Sequence, residues 1–224
     1  VSELMVPSVP DRAAGVVVAP WIATARYDLD QAPGGLGLVQ DLLNTISAGV
    51  PRQADLLDDL TSATEWAQQA VAQWSTATGR PAPDVTLDAA GLRALRIFRE
   101  ELRDEIDARL NVPAEPGQPA TGASGRVPTG SRTSGATLRL DRNGSVHLDP
   151  AGVGADLLIS LVLAALFEAQ LADLGRRIKT CRNPRCRVAF YDRSRNNSGV
   201  WHSVRVCGHP TNLRAHRARQ RQAD

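Results

Sequence analysis

The sequence predicts a mainly α fold with a small β-hairpin, an α+β chain that ends in a small cysteine-bearing module. Three observations carry this reading. Apolar residues recur at three- and four-residue steps in several segments between residues 35 and 174. One Asn-Gly pair, Asn143-Gly144, lies between two short alternating runs. All three cysteines fall near the C-terminus, at 181, 186 and 207. The 224 residues are 42% hydrophobic and 22% charged, enough to close a sizeable core. Aromatics are only 4%, so Ala, Leu and Val must build it.

Residues 1–34 are rich in Pro and Ala and carry one short apolar run, Val16-Val17-Val18. They read as a flexible arm with room for one strand, in which Trp21 has no assigned role. Leu38, Val39, Leu42, Leu43 and Ile46 then mark one face of a helix, stopped by Gly49 and Pro51. Ser62-Ala63-Thr64-Glu65 has the form of a capping box, in which hydroxyl and carboxylate each satisfy an unpaired backbone N–H. The helix it opens buries Trp66 and Trp74 and ends near Gly79-Arg80-Pro81. Thr86 caps the next helix, whose stripe is Leu95, Phe98, Leu102, Ile106 and Leu110.

Residues 111–135 interleave Pro with Gly, Ser and Thr and read as a mobile loop. The hairpin pairs Thr137–Leu140 with Ser145–Leu148, with His147 exposed on it. A last helix, about 153–174, is apolar on most of its surface, as a central core helix is. Its longest apolar run, Leu157 to Phe167, is about half of the ~20 residues that a membrane span needs and contains Ser160. The N-terminal residues lack a charged start followed by an apolar run, so a cytoplasmic rather than a secreted or membrane-embedded protein is expected.

The net charge of +2 divides unevenly. Residues 1–175 hold 13 Arg against 22 carboxylates, a net of −9, whereas residues 176–224 hold 13 basic residues against Asp192 and Asp224, a net of +11. A short segment this basic is an electrostatic footprint for polyanions. It also contains every cysteine. Four residues separate Cys181 from Cys186, fifteen residues follow, and His202 and Cys207 repeat the four-residue spacer. Zinc favours four N or S donors in a tetrahedron, and short loops that each present two donors are the usual way to build one. A segment with almost no core of its own gains from a metal the stability it lacks. One structural Zn2+ held by Cys181, Cys186, His202 and Cys207 is therefore expected, with His209 and His216 as alternative fourth ligands. Three cysteines form no closed disulfide framework, and catalytic chemistry would need an open metal position beside an acid–base residue. No nucleophilic triad or phosphate loop stands out in residues 35–175, so the expectation is a binding protein and not an enzyme.

These residues resemble a known family. Cys181 and Cys186, the run from Phe190 to Asn196, Trp201-His202, Cys207-Gly208 and then His216-Arg217-Ala218-Arg219 are similar to the CGNR zinc finger. Asp41-Leu42-Leu43-Asn44-Thr45 and the stretch from Leu60 to Trp66 resemble the ABATE domain that precedes this finger in bacterial stress-induced transcription regulators. The resemblance implies an ABATE-like helical regulatory domain over 35–175 and a treble-clef-like or ribbon-like finger over 176–224. It departs from the family at two places. His202 stands where the family has cysteine, and Cys207-Gly208-His209-Pro210 replaces Cys-Gly-Asn-Arg.

DNA is the implied partner. The segment from Pro210 to Arg221 reads as a helix with Arg214, Arg217 and Arg221 on one stripe, and Arg193, Arg195 and Arg205 lie on loops that the metal would hold. The acidic domain would sense a small-molecule or protein effector, and a homodimer would suit paired half-sites. Other readings of the same charge are a solvated basic face, a patch docked on the acidic domain, or an adaptor that docks on an acidic partner of the transcription machinery. An RNA platform is thin, with only Phe190, Tyr191 and Trp201 available to stack.

Overall fold

The structure, a computed structural model, describes residues 20–111, 133–213 and Gln220. In chain order the elements are α1 (Ile22–Ala25), α2 (Leu36–Leu43), α3 (Leu60–Thr78), α4 (Ala89–Asn111), β1 (Ala136–Leu140), β2 (Val146–Pro150), α5 (Gly154–Leu171), β3 (Ile178–Thr180) and β4 (Ala189–Tyr191). A 3-10 turn at Gly175–Arg177 precedes β3, and a π-helical turn at Val204–Gly208 runs into a helical stretch over 209–213. Four longer helices and two small antiparallel hairpins make the α+β class expected from the sequence.

α5 is the centre of the helical part and packs against α2 and α4. Leu158, Ile159, Leu161 and Val162 are almost fully buried along it, each worth about 1.5–3 kcal/mol relative to exposure. By length and composition alone this helix would pass as a membrane span. Its burial among α2, α4 and the hairpin shows that it is a core helix. Ser160, the polar break in the apolar run, ties the hairpin to the helix: its hydroxyl donates to Gly135 O (2.7 Å) and accepts from Ala151 N (3.1 Å). In the hairpin, Leu138 faces Leu148 and the Asp141–Gly144 turn closes with Gly144 at φ +87°.

Several local expectations shift. Residues 20–34 are packed and do not form a free arm. Trp21 is buried on Gly37, whose missing Cβ leaves room for the indole, and Ala32 is buried beside it. Ala32 N donates to the Gln40 side chain (2.7 Å). The Val16–Val18 run and nearly all of the proline-rich loop lie outside the described residues.

α3 starts two residues before the expected box: Asp59 is the N-cap and accepts from Ser62 N (2.9 Å). α4 is capped by Asp88, which accepts from Gly91 N (2.6 Å), and not by Thr86. A carboxylate one residue before the first turn meets the unpaired N–H groups more directly in both cases. α2 ends at Leu43, so Ile46 leaves the helical stripe and packs near the cysteines. His147 is half-buried and pairs with Asp141 at 2.8 Å instead of standing free.

Candidate metal centre and basic surface

β3 and β4 form a short hairpin whose loop is the stretch from Cys181 to Val188. Cys181 N donates to Val188 O (2.8 Å) and extends the ladder beyond the strands. Asn183 turns the loop: its carbonyl accepts from Cys186 N (2.8 Å) and its side-chain oxygen from Arg185 N (3.2 Å). The second half of the site comes from the π-helical turn. Ser203 caps this turn by accepting from Val206 N, and Cys207 is the fourth of its five residues. Two donors on a hairpin loop and one on the helical turn make a small module that fits a zinc ion.

Cys181, Cys186, His202 and Cys207 offer donor atoms that all lie within 4.8 Å of one another. Cys186 Sγ and His202 Nδ1 are 3.4 Å apart. With Zn–S about 2.3 Å and Zn–N about 2.0 Å, a tetrahedral ion needs donors about 3.5–3.8 Å apart, so these side chains are already near their working positions. The three thiols are buried and His202 is half-buried. The hydrogen bond from Cys186 lowers the pKa of Cys181, which in turn raises that of Cys186, and desolvation raises Cys207. Three thiolates this close repel one another, and a divalent cation is the charge that lets them all ionise. Asn183 Nδ2 donates to Cys207 Sγ (3.3 Å) and orients it. The donor that completes the cluster is His202; His209 is exposed outside it, and His216 lies outside the described residues.

The apolar shell of this site is small and partly borrowed. Ile46, Ala48 and Val188 surround the cysteines, with Tyr27, Leu29, Trp201 and Val206 at the edge. Trp201 packs on Gly208, where a Cβ would come within 3.0 Å of the indole. The helical part also reads the backbone of the knuckle. Gly49 N donates to Cys186 O (2.9 Å), and buried Arg103 donates to Arg187 O (2.8 Å) and to Leu43 O. Asn44 bonds Ala189 on both sides, Nδ2 to its carbonyl (2.9 Å) and Oδ1 from its N–H (2.8 Å). Sequence periodicity missed Asn44 and Arg103, because Asn44 follows the end of α2 and Arg103 is one of many charged residues on α4, so neither belongs to an apolar stripe.

Asp192, the one carboxylate between the ligands, is structural. It pairs with buried Lys179 at 2.7 Å and accepts from Ser194 N (2.8 Å) and Gly199 N (2.7 Å). Burial raises its pKa, but the Lys179 ammonium and these donors outweigh burial and hold it well below the usual carboxylate range. Lys179, the only lysine, spends its other donors on Asn197 O and Gly199 O.

The arginines expected to face DNA divide into groups. Arg193 is tied to the N-terminal segment: it donates to Gln31 O (2.6 Å), lies 3.5 Å from Asp30 and stacks over Tyr191. Its side chain is still 55% exposed. Arg195 and Arg205 are exposed and have no ion pair among the described residues. Arg214, Arg217 and Arg221 lie outside the described residues.

No curated protein matches the chain. Residues 177–220, which include all four donors, match the family model of the CGNR zinc finger. Family model and donor geometry agree, so the C-terminal part of this chain is a zinc finger whose Cys181, Cys186, His202 and Cys207 fit one structural zinc ion.

Proposed function

We propose that the chain is a cytoplasmic, DNA-binding transcription regulator whose zinc finger contacts the duplex and whose helical part controls it. One observation carries this reading. Arg195 and Arg205 project from segments pinned at both ends by metal ligands, in a stretch of net charge +11. Arg214, Arg217 and Arg221 continue that stretch along the sequence. Guanidiniums on a metal-braced frame suit phosphate contact, which supplies affinity and register, while base-edge contacts supply sequence choice. Catalysis is disfavoured because four protein donors leave no open metal position and Asp192 is committed to Lys179.

The controlling role follows the ABATE resemblance, which implies a stress-responsive regulator. A cavity of about 460 Å³ between α3, the β1–β2 hairpin and α5 offers an effector pocket, with Trp74, Arg80, Arg139 and His147 over Leu157 and Leu161. A homodimer on a palindromic site is the natural assembly for such a protein.

The test is capture of genomic DNA fragments by the zinc-loaded full chain across a salt series. Enrichment of one defined sequence is expected, with affinity falling linearly in log[salt], and Arg195→Ala and Arg205→Ala should each reduce that slope by about one. Absence of enrichment at physiological salt would reject DNA reading and leave the adaptor role, which the ties of Arg193 and Arg187 to Asp30 and Glu100 favour as a precedent for acidic partners.

A further inference from the structure

A cleft of about 300 Å³ separates the end of α4 from β3 and the loop around Ser198. Its floor is apolar, from Ile106 and Ile178. Three arginines from three different elements line it: Arg109 of α4, Arg176 of the 3-10 turn and Arg182 next to the ligand Cys181. Among the described residues, none of those lining it is a carboxylate. Lys179 also lines it, but the bonds of its ammonium to Asp192, Asn197 and Gly199 are made within the protein, so Arg109 and Arg176 supply the charge on which the site rests.

The neighbouring acids do not cancel this charge. Asp107 accepts the Thr180 hydroxyl. Asp173 pairs with Arg176, but both side chains are well exposed and water screens the pair. Arg109 makes no hydrogen bond or ion pair among the described residues, and desolvation, opposed only by Glu105, lowers its pKa.

We propose that this cleft is a phosphate-binding site shared between the helical part and the zinc finger. Guanidinium forks present paired N–H donors that match phosphate oxygens, and two arginines on one cleft suit a phosphate dianion better than a single carboxylate. The cleft is at the small end of ligand pockets, which fits one or two phosphoryl groups. The phosphate is either one on the DNA backbone, which rests on the function proposed above, or that of a free phosphorylated molecule, which does not. If it is a DNA phosphate, Arg109 makes the duplex interface composite, reaching from the finger into the helical part.

The experiment uses the zinc-loaded full chain, the double variant Arg109→Gln/Arg176→Gln, and metal analysis of both. Inorganic phosphate and pyrophosphate are titrated first, followed by amide chemical shifts. The wild type should show saturable shifts at Thr180, Arg182 and Ser198 that weaken at least tenfold in the variant while zinc content stays the same. Duplex binding is then measured across salt. A slope lower by one to two in the variant assigns the phosphate to the DNA backbone. An unchanged slope with lost phosphate shifts assigns the site to a free phosphorylated ligand. A wild type that binds phosphate but no DNA keeps this site and removes the proposed function instead. Absence of saturable shifts with either anion, together with an unchanged slope, overturns the proposal.

Discussion

The two apolar clusters of this protein are held together by different forces. Around α5, more than a dozen Leu, Ile, Val, Ala and Trp side chains from four helices are buried, and the cluster closes on hydrophobic burial. Around the cysteines the only buried apolar companions among the described residues are Ile46, Ala48 and Val188, and two of these belong to the helical part. The contrast extends to buried carboxylates. Asp41 in the helical core is bonded by Thr24 N (2.8 Å) and Trp66 Nε1 (2.9 Å), with no cation in contact, and desolvation raises its pKa to about 6 despite these donors. Asp192 in the finger has Lys179 and shifts the other way. The helical part thus holds Asp41 on neutral donors, whereas the finger pairs Asp192 with a charge and gathers its thiols where a metal ion fits.

The sharpest way to break this contrast is to take away the metal. His202→Ala should lose stoichiometric zinc and, with it, the near-UV signal of Trp201, since structural zinc supplies on the order of 10 kcal/mol. His209→Ala should keep both. Equal metal loss from the two variants would put the fourth ligand elsewhere.

Lys179→Met leaves Asp192 buried without its cation and should cost about 3–5 kcal/mol in chemical denaturation. The double variant Lys179→Met/Asp192→Asn should recover a large part of that loss, and no recovery would mean that Lys179 acts through its carbonyl bonds alone.

The smallest effect is a pH dependence. Asp41 binds its proton more tightly when folded than when unfolded, so its contribution to stability is highest below pH 4 and falls as pH rises through about 6, by about 3 kcal/mol in all. Asp192 is depressed, so its contribution is present at neutral pH and is lost as pH falls below the unfolded value near 4. Carboxyl carbon NMR of the native protein should find Asp41 titrating near pH 6, and a midpoint near 4 would remove the contrast.

The finger was the most legible part. Metal ligation is written in residue type and spacing, so Cys181, Cys186, His202 and Cys207 stand together where the sequence places them. Helices also read well where apolar periodicity is strong, as for Trp66 and Trp74 in α3 and Leu95 to Ile106 in α4. Caps at Asp59 and Asp88 were harder, because Ser, Thr and Asp compete for the same N–H groups and only the backbone angle selects among them.

The sequence by itself determined that a helical domain exists, that its basic C-terminal stretch holds a metal, and which residue types would ligate it, because periodicity, charge and spacing are local quantities. Only the tertiary structure decided that the finger is built into the helical part, through Asn44 on Ala189, Gly49 on Cys186 and Arg103 on Arg187. It also decided that Arg193 is tied inward while Arg195 and Arg205 face out, and that Arg109, Arg176 and Arg182 share one cleft. These pairings join residues tens of positions apart or more, and in Asn44–Ala189 they are 145 positions apart. No local pattern encodes such a pairing; it is set by the side chain that fills the remaining buried hydrogen bond once the helices have packed.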